Sequence, residues 1–133
     1  MKKNKPQLSI SLSREHAKNE TAIRGTFKDF DVNVHADYMR FSAEELAMQV
    51  IIFLTKSFIE SAAWDLFRFS IKKLFKKFPK TDVVVRDTDS ILYSIRADFT
   101  INIVVTPDRI KEYEHIKTLD DLIKYLELKN NEK

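Results

Sequence analysis

A chain of 133 residues, 44% hydrophobic and 32% charged, has the size and composition of one soluble globular domain spanning 1–133. The absence of cysteine removes disulfides, thiolate nucleophiles and cysteine-based zinc sites, and fits a reducing, cytoplasmic setting. A single glycine excludes the P-loop and the dinucleotide-binding fingerprint, both of which need more than one.

The net charge is only +3, yet residues 68–86 hold seven basic groups against one acidic group. The start, MKKNKPQLSISLS, is basic but has no apolar run behind it, so it does not read as a secretory signal.

In chain order, residues 1–7 read as a frayed basic tail, and LSISLS then alternates as a half-buried strand with Leu8, Ile10 and Leu12 on one face. Arg14 to Glu20 reads as a polar connection. Gly25 is expected to supply a positive-φ turn or bulge. A second strand is expected from Phe27 to Ala36, with Phe30, Val32, Val34 and Ala36 facing inward.

The stretch from Ser42 to Phe78 dominates the chain and is expected to be one long apolar helix, kinked near Lys56. Ser42 and Glu45 have capping-box spacing, Phe41 and Leu46 staple spacing, and Lys72, Lys73, Lys76 and Lys77 suit a helix C-terminus before Pro79. Unbroken, such a helix runs about 54 Å. Its Leu46–Leu54 portion is apolar at nearly every angle, but these nine residues fall far short of the roughly 20 of a membrane span. Lys56 is expected to reach solvent, with Ser57 as a second N-cap.

Beyond the helix, Val83–Arg86, Ile91–Arg96 and Phe99–Val105 read as a meander joined by turns at Asp87–Ser90 and Ala97–Asp98. Thr106-Pro107 marks a helix start. Thr118 opens a last helix with Leu119, Leu122, Ile123 and Leu126 as its buried stripe, and 129–133 reads as a frayed tail. The expected order is β-β-α-β-β-β-α. This is an α+β fold with an antiparallel sheet of about five strands on the long helix.

Candidate sites are few. Asp29, Asp31, Asn33, His35 and Asp37 share one face of the second strand, and Asp31 with His35 is the best metal pair. Alternate side chains on a strand lie nearly 7 Å apart, so a solvated polar face is the simpler account. Asp87-x-Asp89 opens like a calcium loop, but Ile91 and Leu92 stand where a ligand and a glycine belong. His16, His35 and His115 sit in no nucleophile or zinc-protease motif. The chain is therefore read as non-enzymatic, with no cofactor and no metal.

The primary functional expectation is an interaction module that self-associates or docks a protein partner through Met48, Ile51, Ile52 and Phe53. The alternative is nucleic-acid or anionic-surface binding through Lys72, Lys73, Lys76, Lys77 and Lys80, which are interleaved with Leu74, Phe75 and Phe78. A membrane surface ranks below these, and no transmembrane span is expected.

Overall fold

The structure, a computed structural model, describes residues 5–38, 48–56, 58, 63–86, 92–104 and 110–131. Its strands are β1 (Gln7–Ser13), β2 (Asp31–Tyr38), β3 (Gln49–Leu54), β4 (Asp82–Arg86), β5 (Leu92–Ile95) and β6 (Ile101–Val104). Its helices are α1 (Glu20–Thr26), α2 (Trp64–Lys77), α3 (Ile110–Tyr113) and α4 (Leu119–Asn131), with a 3₁₀ segment at Arg14–Asn19.

The six strands form one sheet in the order β2-β1-β3-β4-β5-β6. It is mixed. β1 pairs with β2 and β3 with β4 in parallel, whereas the β1–β3, β4–β5 and β5–β6 pairs are antiparallel. Two parallel crossovers account for this: β1 reaches β2 through the 3₁₀ segment and α1, and β3 reaches β4 through α2. β1 and β3 run in opposite directions, and their crossovers leave toward opposite edges of the sheet. Right-handed crossovers then place both connections on the same face. Contact between α1 and α2 agrees with that placement.

The alternation in each strand follows from one covered face. Leu8, Ile10, Leu12, Val50, Ile52, Leu54, Val83, Val85, Tyr93 and Ile95 are all buried on it and stand opposite one another across the ladders. Against them pack Phe67, Ile71 and Leu74 of α2 and Leu119, Leu122, Ile123 and Leu126 of α4. An aromatic nucleus fills one end. The Phe58 ring lies 5.6 Å from Phe30, 5.1 Å from Trp64 and 5.5 Å from Phe67.

The expected long helix at 42–78 is overturned. Gln49–Leu54 is an inner strand, and the longest described helix, α2, has 14 residues, about 21 Å. The reason is that a short apolar run has the same signature in a buried strand as in a buried helix. Val50, Ile51 and Ile52 are β-branched and stiff at χ1, which favours the pleat. The proposed Ser42–Glu45 cap and the Ser57 cap lie outside the described residues. Lys56 is exposed. Near it the Thr55 hydroxyl accepts from the Phe58 N–H at 3.0 Å and donates to the Gln7 carbonyl at 3.1 Å.

The all-antiparallel sheet is likewise corrected to a mixed one, because the connection expected to be irregular between β1 and β2 is helical. Gly25 lies inside α1 without a positive φ. At the C-terminal end α4 continues to Asn131, past the point where a frayed tail was expected. Gln7 already belongs to β1, and the Pro6 carbonyl accepts from the Asp31 N–H at 2.8 Å. The Thr106-Pro107 helix start and the Asp87–Ser90 turn lie outside the described residues.

The Thr118 start of α4 is a capped one. Its hydroxyl accepts from the Asp121 N–H at 3.2 Å, while the Asp121 carboxylate accepts from the Lys117 N–H at 3.4 Å. The turn between β5 and β6 has the form of a three-residue hairpin loop, with Phe99 N–H donating to the Arg96 carbonyl at 2.8 Å. Phe99 occupies the left-handed position normally left to glycine, at φ 66°. Such strain costs about 1–3 kcal/mol. It is held by the Phe75 ring 5.8 Å away and by the Phe99 carbonyl accepting from the Leu119 N–H at 3.0 Å.

Candidate functional site

The basic residues of α2 divide by helix geometry. Lys73 and Lys77, four apart, lie on the flank that faces α1; Lys72 and Lys76 occupy another strip and are exposed. Between α1 and α2 runs a cleft of about 680 Å³ lined by Lys18, Thr21, Ala22, Gly25, Thr26, Lys73 and Lys77. A second cleft of about 510 Å³ adjoins it, sharing Lys18 and Lys77 and adding His16, Lys80, Met48, Phe78 and Thr81 among its lining. Neither lining contains a carboxylate among the described residues. Among the described residues, none of these four lysines is paired with an acidic group.

Three features suit this track to anions. First, Thr81 lines the second cleft at 2% exposure, and its buried hydroxyl has no hydrogen-bond partner among the described residues. Second, the α1 side is built from small residues. A Cβ at Gly25 would meet nothing within 4 Å, so neither packing nor backbone angle calls for glycine there. Glycine inside a helix costs roughly 0.5–1 kcal/mol relative to alanine, and at Gly25 it leaves backbone accessible to a ligand. Third, the Lys73 ammonium sits 4.5 Å from the centre of the Phe69 ring, which is 52% exposed. A half-naked aromatic beside a cationic track is a stacking platform.

Of the lysines expected to bind anions, the fold brings Lys73, Lys77 and Lys80 onto the clefts; Lys72 and Lys76 do not line them. It adds Lys18, His16 and Thr81. Lys18 had no signal of its own, because it meets Lys77 only through the packing of α1 on α2.

The other candidates separate as well. Met48 and Ile52 are buried at 4% and 0% exposure, so of the expected docking residues only Ile51 and Phe53 reach the surface. They do so on the sheet face opposite the helices. Asp31 and His35 are exposed on β2; Asp31 lines a small cleft with Gln7, Ser9, Asn33 and Thr55, and His35 does not. Among the described residues no three His, Asp or Glu side chains converge as a metal site would need. Asp87 and Asp89 lie outside the described residues. His115 is exposed and stands edge-on to Tyr125, 6.0 Å between ring centres. No described helix is long and apolar enough to cross a membrane.

Comparison of the chain with protein-family models, curated proteins and solved structures finds no match.

Proposed function

We propose that the protein is a non-enzymatic cytoplasmic binding module that holds single-stranded nucleic acid along its basic track. Convergence of Lys18, Lys73, Lys77 and Lys80, from two distant parts of the chain, on adjoining clefts with no carboxylate among their described lining residues carries this reading. Lysine is a mobile point charge that follows a phosphate backbone without demanding one geometry. Phe69 beside Lys73 offers a π-face to an unpaired base, a contact a duplex could not make. A single bound phosphate would engage one of the two clefts; a strand uses both.

The test is fluorescence anisotropy with labelled single-stranded oligonucleotides in a salt series. Four phosphate contacts predict a log–log slope near −3, from about −0.7 per contact on a single strand. Lys18→Glu combined with Lys77→Glu should abolish binding while leaving the melting transition in place. Absence of binding at low salt, or binding indifferent to these charge reversals, defeats the reading. Binding to anionic lipid vesicles in place of nucleic acid defeats it too. That outcome would assign exposed Leu66 and Phe69 to a bilayer surface instead.

A further inference from the structure

The face of the sheet that α1, α2 and α4 do not cover has its own order. Pairing register lines up Ser11, Ile51, Val84 and Ser94 in one row, and Ser9, Phe53, Arg86 and Leu92 in the next. On the other side of the first row stand Gln49 and Asp82. The middle of this face is thus apolar: Ile51, Phe53, Val84 and Leu92 are all half-buried. Its rim is polar, with Asn33, His35 and Asn102 exposed. A hydrophobic centre inside a polar rim is the anatomy of a protein interface.

Arg86 is the group this arrangement leaves unfinished. Its guanidinium stacks 5.2 Å from the centre of the Phe53 ring. Among the described residues its buried Nε has no hydrogen-bond partner and no carboxylate pairs with it. Stacking on a ring recovers part of the cost of drying a cation, but the N–H donors still need acceptors. The acidic group of its own strand on the same face is Asp82. Four residues at 3.3 Å per residue put it about 13 Å away, out of reach.

That spacing is what a second copy would use. Turn one sheet over onto another about a two-fold axis that crosses β4 at Val84, at right angles to the strand. β4 then stacks antiparallel on its copy, Val84 on Val84, with the Ile51 side chains meeting beside them. Each Arg86 comes over the Asp82 of the other chain. One strand carrying an acid at its start, a cation at its end and a branched aliphatic midway is self-complementary under that operation, as an isologous interface requires. We propose that the open sheet face is a homodimer interface, centred on Val84 and Ile51 and closed by two reciprocal Arg86–Asp82 ion pairs. The helices, and with them the two basic tracks, then lie on the outside of the dimer.

Sedimentation equilibrium of the full chain at micromolar concentration tests this by charge exchange. Wild type should be dimeric. Arg86→Asp and Asp82→Arg alone each set like charges against each other twice, and each should raise the dimer Kd at least about tenfold. The double variant Asp82→Arg/Arg86→Asp rebuilds both pairs in reverse and should return to a dimer. A second reading needs no charge change in the sheet. The chain has no cysteine, so Val84→Cys should cross-link to its copy with a short bis-maleimide. Lys124→Cys, exposed on α4, should not. A monomeric wild type, a dimer untouched by Arg86→Asp, a double variant that stays monomeric, or a Val84→Cys that fails to cross-link would each overturn the proposal.

Discussion

The Asp98 carboxylate accepts from Thr100 twice, from its hydroxyl at 2.6 Å and from its backbone N–H at 3.0 Å. Together these bonds lower the Asp98 pKa, the side-chain bond contributing most, the backbone bond next and Arg96 a little. They pin the loop that holds Phe99 in its left-handed conformation. A carboxylate whose folded pKa is depressed stabilises the fold above its unfolded pKa, and the effect fades as pH falls through the lowered value. Asp98→Ala should therefore lower the melting temperature at neutral pH. The gap between variant and wild type should close below the usual carboxylate range. A gap constant down to acid pH would mean that the charge of Asp98 is not what holds the loop.

Phe58→Ala should be among the costliest single changes. The ring is wholly buried and touches Phe30, Trp64 and Phe67 at once. Emptying such a site costs about 3–5 kcal/mol. Chemical denaturation with an unchanged m-value and a lower midpoint would register it.

Gly25→Ala should move stability and binding in opposite directions. The added methyl meets nothing within 4 Å, so the helix gains the propensity difference, about 0.5–1 kcal/mol, and melts higher. The same methyl stands in the cleft and should weaken oligonucleotide binding, with Gly25→Leu weakening it further. Unchanged affinity in both variants would show that no ligand approaches the α1 backbone.

Lys18→Gln and Lys77→Gln should each lower the salt slope of nucleic-acid binding by about 0.7, as expected for one lost phosphate contact. Lys72→Gln, on a strip of α2 away from the clefts, should lower it less. Equal slopes for all three would describe a diffuse positive field with no track in it.

How much of this was readable beforehand depended on whether the information was local. The stripe of α4 was readable because Thr118 caps it and Leu119, Leu122, Ile123 and Leu126 repeat at helical spacing, and all four are buried. The β1 strand showed itself by strict alternation, since one face meets helices and the other meets no described helix. Gln49–Leu54 misled because an inner strand with Ile51 and Phe53 on its uncovered side leaves Gln49 as its one polar residue, too few to set a period of two. The lysines of α2 then seemed to extend one helix backward through it. The α1 helix was missed because seven residues containing a glycine have little propensity of their own, and Ile23 and Phe27 hold it by burial. Lys18 joined the cleft through the same tertiary contact, which no local pattern records.

The central pairing of β1 with β3 bears on how the chain is made. Leu8 stands opposite Leu54, so the middle of the sheet closes only when segments some 46 residues apart in sequence meet. Loop closure of that length is paid in entropy before the contact returns anything. On a ribosome, β1, α1 and β2 emerge first as a parallel pair whose inner edge has nothing beside it. β3 arrives later, and behind it α2 and the β4–β5–β6 hairpins, which are mostly local contacts. The N-terminal unit is thus the part of the nascent chain that waits longest with an apolar edge strand exposed. A pause in translation before residue 49 would prolong that interval, and chaperone capture would be expected to concentrate there.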